Sequence, residues 1–373
     1  MTLNKKKFLF LERFFCNNGI DVKRRWYFGQ CIDIDNKFNG MIKRVEDNIL
    51  FKPLSDFEEP CVLVLGDLNV DYDVNEEKQS VGGGGFNAWR AFGEYGYVVV
   101  LLGKIGCNNL AELDSCGTMI YNKIKNEVIS NKNRYMYAFI DRHKVYKSCE
   151  VKILKSERSE NERKKYSYDH MNANDYDVDN LNKILSVIEF RKKDYIFISS
   201  YLYIQKNCNL MSCLEYINVF NNIEDKCKPK IIIDIASYSL EKSLDVRKAK
   251  MLNMKMLKQI INAYQGRIYA VIVELNGLKS MMNDEIVLGH CADKWLDVSF
   301  FKKSEYYGMA DYLVCRYGDD SVTKQKVFKM FDPCDEFDDD EALDENRYNE
   351  NNIGYGDIMT VKILKKIIDR YGE

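Results

Sequence analysis

Hydrophobic residues in this chain fall into short, mostly apolar runs, and segments with helical spacing separate most of them. Such runs are typical of strands that are buried on both faces of a sheet. They span residues 61–66, 97–102, 195–199, 230–234, 269–273 and 312–316, the last of them ending at Gly318. The alternation of strand and helix patterns predicts an α/β fold, a doubly wound and mainly parallel sheet with helices on both faces.

A different pattern appears between residues 134 and 169, where apolar and polar residues alternate. Val151 and Ile153 fall on one face of an extended chain, whereas Glu150 and Lys152 fall on the other. This period of two is typical of half-exposed antiparallel strands. Together with strands at about 71–80, these residues are predicted to form a small β-strand lid.

The domain organisation follows from where these patterns begin and end. Residues 1–58 form an N-terminal extension that either packs on the main domain or reaches a partner, and residues 59–373 form the main domain. The acidic segment 332–350 is predicted to be a solvated insertion loop. Glu12 and Arg13 interrupt the first apolar run too early for a secretory signal, although the basic start of the chain leaves organelle targeting open.

Composition narrows the class of protein. The 373 residues are 46% hydrophobic and 30% charged, with a net charge of −2, which is typical of a globular protein and argues against a nucleic-acid partner. The 12 cysteines include no Cys-x-x-Cys pair, so they are predicted to be reduced thiols of a cytoplasmic protein. With only three histidines, the chain is predicted to have no metal site made of its own side chains.

Glycines cluster at 82–85, shortly after polar residues that follow the first buried strand. Asn69 and Asp71 follow that strand, at the edge where open α/β sheets bind ligands. The glycines do not leave a strand directly and no Gly-Lys-Ser/Thr occurs, so neither a dinucleotide fingerprint nor a P-loop is predicted. Close approach of the backbone to a polar ligand beside Asn87 is one interpretation, and a tight turn with a helix cap is the other.

A second glycine motif, Asn-Asn-Ile-Gly-Tyr-Gly-Asp, covers residues 351–357. Apolar residues after it recur at helical spacing and predict a helix that starts close to Asp357. The free N–H groups and the dipole at such a start favour an anion. Asp357 is therefore interpreted either as a helix cap or as a carboxylate that acts in the chemistry.

Together the two motifs, in this order and with Gly96 and Gly106 between them, resemble the signatures of the ribokinase (PfkB) family of carbohydrate and nucleoside kinases. The resemblance covers about residues 59–371. It implies transfer of the γ-phosphate of ATP to a hydroxyl of a sugar or nucleoside. Asp357 would be the base, and the N–H groups of Gly354, Tyr355 and Gly356 would stabilise charge on the transferring group. The positions that match the acceptor site are Asn69, Asp71, Gly83, Gly84 and Asn87.

The same resemblance implies a nucleotide site and further properties of the protein. ATP with Mg²⁺ would lie across Asn276 and a turn that contains Arg316 and Gly318. The lid strands would keep water away from the γ-phosphate, and a homodimer through the lid is expected by analogy. A small-molecule substrate is thus expected as the partner, without a nucleic acid or a membrane.

Several residues depart from the family pattern. Asn351 and Ile353 replace an aspartate and a threonine that help to bind a monovalent cation in many relatives. The Asn-x-x-Glu motif, which organises magnesium and phosphate, corresponds to Asn276-x-x-Lys279 here, and the segment after Asp357 is shorter than expected. A catalytically degenerate protein that acts as a binding or regulatory subunit is therefore the alternative function.

Overall fold

A computed structural model describes the chain in separate stretches. These are residues 41–42, 57–74, 76–106, 113–130, 136–143, 148–153, 190–199, 218–220, 223, 228–235, 259, 261–264, 268–274, 308–318, 322–329, 336–342 and 355–371. The chain divides into two compact units, which are described separately. The first unit contains Met1–Val64, Leu68–Asp169 and Ile184–Glu189, and the second contains Leu65–Asp67, His170–Lys183 and Phe190–Glu373.

The first unit contains most of the strands of the amino-terminal half of the chain. Its elements are β1 (Met41–Ile42), β2 (Cys61–Leu65, whose last residue belongs to the second unit), β3 (Asn69–Asp73), β4 (Lys78–Gly82), α1 (Gly84–Glu94), β5 (Val98–Gly106), α2 (Ser115–Ser130), β6 (Met136–His143) and β7 (Cys149–Ile153). The strands form two groups, a larger one in the order β1-β6-β5-β2 and a separate sheet in the order β4-β3-β7.

Strand β6 belongs to the larger group, and this corrects the prediction that residues 134–169 form lid strands throughout. It pairs in parallel with β5 from Val99–Met136 to Gly106–His143. Met136, Ala138 and Ile140 are buried, so this strand is part of the core and is not half exposed. The Trp89 Nε1–H group of α1 also donates to the Tyr137 carbonyl over 3.0 Å. The prediction of lid strands therefore covered too long a segment, because a strand of the core can also carry polar residues near its end.

The small sheet contains the remaining predicted lid strands. Strand β3 pairs antiparallel with β4 and in parallel with β7. The Asp114 carboxylate fixes the entrance to β7, because it accepts the backbone N–H of Ser148 and that of Gly117 at the start of α2, both over 2.6 Å. The Ser148 hydroxyl in turn accepts the Gly106 N–H over 2.8 Å. The side chains of Asp114 and Ser148 thus join the start of α2 and the end of β5 to the residue before β7.

The predicted extension, residues 1–58, is described mainly at Met41–Ile42. This short strand pairs antiparallel with β6, with Met41 opposite Phe139 and Ile42 opposite Ala138. At this point, the extension packs as an edge strand on the first unit. The predicted domain boundary at 58–59 stays a prediction.

The second unit continues the α/β pattern. Its elements are β8 (Tyr195–Ser199), β9 (Lys230–Ile235), β10 (Ile268–Glu274), β11 (Tyr312–Gly318), β12 (Val322–Lys329), β13 (Glu336–Ala342) and α3 (Tyr355–Tyr371). The strands lie in this order along the sheet, parallel from β8 to β11 and antiparallel from β11 to β13. The predicted α/β class with a mainly parallel sheet is confirmed. Among the described residues, no helix has the length and apolar character needed to cross a membrane.

Strand β13 occupies the middle of the acidic segment 332–350, so the prediction of a solvated loop is wrong there. It pairs antiparallel with β12 over seven residues, and the register sets Lys324 opposite Asp340 and Lys326 opposite Asp338. The acidic segment was interpreted as a loop because the strand that pairs with it lies earlier in the chain.

A row of tyrosines lies at the amino ends of the parallel strands in the second unit. Tyr269 lies between Tyr195 and Tyr312, with ring centroids 5.5 and 5.0 Å away, and Lys230 Nζ lies 4.6 Å from the centre of its ring. The row continues to α3, where Tyr371 stacks on Tyr312 at 5.4 Å. These contacts fasten the end of α3 to the sheet, because aromatic pairs add to the free energy of burial.

We expect the Tyr195 hydroxyl to cause a loss of stability at high pH. Burial, and to a smaller extent the Asp194 carboxylate, raises its pKa from 10.0 to about 12. Between these values the unfolded chain loses this proton while the folded chain keeps it, so the free energy of unfolding falls as pH rises. The expected slope from this group is about 1.4 kcal/mol per pH unit. Denaturant unfolding of wild type and Tyr195→Phe from pH 9 to pH 12 measures it, and equal slopes in the two proteins would contradict it.

Candidate active site

The predicted acceptor site begins on β3, where polar side chains are buried on one face. Asn69 and Asp71 are two residues apart on this strand and are only 4% and 6% exposed. The Asn69 Nδ2–H group donates to Asp71 Oδ1 over 2.6 Å. This contact fixes the orientation of the amide and of the carboxylate, as a site for paired hydroxyl groups requires.

Gly82, at the end of β4, gives the Asp71 carboxylate its space. It lies opposite Asn69 in the strand pair, and a Cβ atom added to it would lie 2.2 Å from Asp71 Oδ2. No side chain fits there without displacing the carboxylate. The glycine cluster is thus adjacent to the two polar residues, as a binding site made of both requires.

A substitution at Gly82 tests this packing. Gly82→Ala is expected to lower the free energy of unfolding by about 1–3 kcal/mol, because the new methyl group overlaps the buried Asp71 carboxylate. Chemical denaturation measures the change. In an Asp71→Ala background the same substitution should cost clearly less, since the overlapping atom is gone. An equal cost in both backgrounds would show that the carboxylate is not the obstacle.

Helix α1 starts within the glycine cluster. Gly83 is its N-cap and has a φ of 100°, a backbone conformation that side chains other than glycine rarely adopt. Gly84 and Gly85 are buried in the first turn, where the Asn87 N–H donates to the Gly83 carbonyl over 3.0 Å. No side chain caps this helix start. The tight turn is therefore present without a side-chain cap, and ligand binding by Asn87, whose side chain is half buried, stays a prediction.

Asp73 continues the polar face of β3 and was missed at the sequence level. It is 3% exposed, and its Oδ1 atom accepts the Glu76 N–H over 3.1 Å. This contact closes the turn between β3 and β4. The Asn-x-Asp-x-Asp alternation was a signal for it, because residues two apart on a strand share a face. Its described contact is structural.

In the second unit, Asp357 lies in the first turn of α3, which begins at Tyr355. The predicted helix start is thus confirmed. Asp357 is half buried, whereas Val361, Leu364 and Ile367 on the same helix are fully buried. A carboxylate here is stabilised by the helix dipole. The first N–H groups of the helix, which include those of Tyr355 and Gly356, have no acceptor within the helix.

Two pairs of buried polar side chains lie in the second unit, three of the four at or just after the carboxyl ends of strands and the fourth on α3. The Thr360 hydroxyl donates to Asp234 Oδ2 over 3.2 Å, and the Ser199 hydroxyl lies 3.5 Å from Asp67 Oδ1. All four side chains are buried. Sequence reasoning did not assign them to the site. Their position at strand ends was the available signal, because open α/β sheets bind ligands at that edge.

The predicted nucleotide residues are only partly described. Arg316 and Gly318 are in β11, which ends at Gly318 as predicted, but Arg316 continues the strand and is not in a turn. Its backbone lies opposite Glu274 of β10 and Gln325 of β12. Asn276 and Gly354 lie outside the described residues. The predicted roles of all four residues in binding nucleotide or phosphate stay predictions.

Comparison with known proteins gives matches to solved structures only. No family model matches the sequence, and no curated protein matches it. A 2-dehydro-3-deoxygluconokinase from Thermotoga maritima is similar with a TM-score of 0.55 and 11% identity, covering 84% of this chain and 89% of that chain. An adenosine kinase from Schistosoma mansoni in complex with 2-fluoroadenosine has a TM-score of 0.54 and 12% identity, covering 84% and 91%.

A third solved structure extends the range of kinases. A fructokinase from Xylella fastidiosa with bound ATP has a TM-score of 0.52 and 10% identity, covering 83% of this chain and 82% of that chain. The TM-scores establish the fold, and the low identities leave the activity of this chain to be proposed. The resemblance that the two glycine motifs predicted is confirmed at this level: the chain has the fold of the ribokinase (PfkB) family of carbohydrate and nucleoside kinases.

Proposed function

We propose that this protein is an ATP-dependent phosphotransferase that moves the γ-phosphate to a hydroxyl group of a sugar or related small molecule. The observation that carries the proposal is the buried Asn69–Asp71 pair beside the glycine cluster, on a fold that known sugar and nucleoside kinases share. Carboxylate and amide groups bind paired hydroxyls well, because they supply acceptors and a donor together. Asn87, Gly83 and Gly84 would complete the acceptor site.

Asp357 is the proposed base. A half-buried carboxylate in the first turn of a helix is in a suitable environment to accept a proton from a hydroxyl as that hydroxyl attacks phosphorus. The N–H groups at the same helix start, from Gly354 to Gly356, would stabilise the charge on the transferring group. The acceptor oxygen would bond to the γ-phosphorus as the bond from that phosphorus to the β–γ bridging oxygen breaks, which gives the phosphorylated acceptor and ADP. Asp357 would take the acceptor's proton and then release it to water.

Magnesium would enter with the nucleotide. Among the residues that the structure describes, no group of three or more histidine, cysteine, aspartate or glutamate side chains could hold a metal ion. Mg²⁺ needs no such group, because it usually takes one or two carboxylates together with phosphate oxygens and water. We therefore assign Mg²⁺ to the phosphates of ATP when it is bound, where it neutralises charge on them.

A panel of acceptors tests the proposed function. Purified protein is incubated with ATP, Mg²⁺ and neutral sugars, sugar acids, sugar phosphates or nucleosides, and release of ADP is followed. At least one class is expected to stimulate ADP release well above the rate without acceptor. If no class raises ADP release above the rate without acceptor, and the protein shows a cooperative unfolding transition, this activity is ruled out.

A binding or regulatory subunit is the second candidate function. Lys279 in place of the family's glutamate favours it, because a lysine cannot orient metal-bound water. This function predicts a stable protein partner and no binding of ATP. Isothermal titration calorimetry with Mg²⁺ and ATP separates the two candidates, since a kinase must bind ATP and this subunit is predicted not to bind it.

A further inference from the structure

Thr360 and Asp234 form a contact that joins helix α3 to the sheet of the second unit. Thr360 is fully buried one turn after Asp357, and its hydroxyl donates to Asp234 Oδ2 over 3.2 Å. Residues three apart on a helix lie on the same face. The contact therefore holds the helix on the side where Asp357 emerges.

The strand side of this contact is itself fixed. Asp234 lies near the end of β9, and the parallel register sets Ser199, the last residue of β8, opposite it. The Ser199 hydroxyl lies 3.5 Å from Asp67 Oδ1, just after β2. Hydroxyl and carboxylate side chains from three successive strand ends and one helix thus meet in a buried region, and each needs a defined partner there.

A contact of this kind exceeds what burial of a threonine requires. The hydroxyl of a helical threonine can bind a carbonyl of its own helix, so it does not need a carboxylate on a strand. A carboxylate that is only 6% exposed is costly to bury and needs hydrogen bonds from surrounding groups. This buried carboxylate lies at the strand end that α3 contacts through Thr360.

We infer that Asp234 and Thr360 are positioning residues for the first turn of α3, and so for Asp357. The inference rests on the proposed function in so far as Asp357 is the base. Because the pair acts through Asp357, its loss should affect the catalytic step more than the affinity for either substrate. A shift of about 1 Å in a catalytic group can lower the rate about a hundredfold.

Thr360→Val and Thr360→Ser test the inference. Valine removes the hydroxyl at nearly the same volume, whereas serine keeps it. Thr360→Val is expected to lower kcat about tenfold or more, with KM for ATP and for the acceptor within about twofold, and Thr360→Ser should recover most of kcat. Ile363→Val, which removes a methyl group from a fully buried residue of the same helix, is the packing control and should keep kcat.

Hydrogen exchange gives a second readout that does not require activity. In Thr360→Val the amides of residues 359–362, which donate to the carbonyls of the first turn, should exchange about tenfold faster relative to those of residues 363–371, whereas Ile363→Val should not change this ratio. Unchanged kcat and exchange in Thr360→Val, or the same losses in Ile363→Val, would overturn the inference. If the wild-type protein transfers no phosphate, the proposed function fails, and the exchange ratio alone decides whether the pair positions this turn.

Discussion

Replacing Asp357 with alanine is expected to lower kcat for phosphoryl transfer by about 10³- to 10⁴-fold, the largest effect of any single substitution in this protein. The carboxylate lies in the first turn of α3, and its loss would remove the proposed base that takes the acceptor's proton. Binding of ATP and of the acceptor should change little, because the base acts mainly in the transition state. Steady-state release of ADP with a saturating acceptor measures kcat.

Asp369 provides a matched control on the same helix. It is exposed and forms an ion pair with Lys365 over 2.6 Å, well away from the first turn. Asp369→Ala removes a carboxylate from α3 and should leave kcat within about twofold of the wild-type value. Comparable activity in Asp357→Ala and Asp369→Ala would show that Asp357 is not the base.

The second large effect is expected at Asp71. Asp71→Asn keeps the size of the side chain but removes the charge that would bind the acceptor's hydroxyls. The value of kcat/KM for the acceptor should fall about 10²-fold, mainly through KM, because a hydrogen bond to a charged group contributes about 1.5–3 kcal/mol. Initial rates over a range of acceptor concentrations at saturating ATP measure the change, and KM for ATP should stay within about twofold.

Asp73 is the control for this substitution. It is buried on the same face of β3 and closes the turn through its contact with the Glu76 N–H. Asp73→Asn should lower the free energy of unfolding by about 1 kcal/mol while kcat/KM stays near the wild-type value. If Asp73→Asn and Asp71→Asn lower kcat/KM equally, the effect belongs to the fold of the small sheet and not to Asp71.

Local patterns were sufficient to predict much of the fold. The runs at 61–66 and 195–199 are strands within one residue of the predicted bounds, and the helix predicted to start close to Asp357 begins two residues before it, at Tyr355. In each case neighbouring residues determine the outcome, through continuous apolar runs or helical spacing. A turn at Gly83 could be predicted for the same reason, since the positive φ of this residue favours glycine.

Features that depend on distant residues were not predictable in this way. Strand β13 pairs its backbone with β12, which lies earlier in the chain, and β6 joins the core because β5 lies beside it. The contact between Thr360 and Asp234 joins residues 126 positions apart. Periodicity within a short window cannot report such pairs. The shared face of Asn69 and Asp71 could therefore be read from local spacing, whereas the contact behind Asp357 required the structure, and the acceptor site itself stays a prediction.

The most direct test of the central claim follows the γ-phosphate itself. Wild-type protein is incubated with ATP labelled in the γ-phosphate, Mg²⁺ and a pool of neutral sugars, sugar acids, sugar phosphates and nucleosides, and the products are separated by chromatography. A phosphotransferase predicts a labelled compound that forms only when the acceptor is present and that is absent with Asp357→Ala. Label that remains in ATP, or that appears only as inorganic phosphate, would contradict the proposed activity.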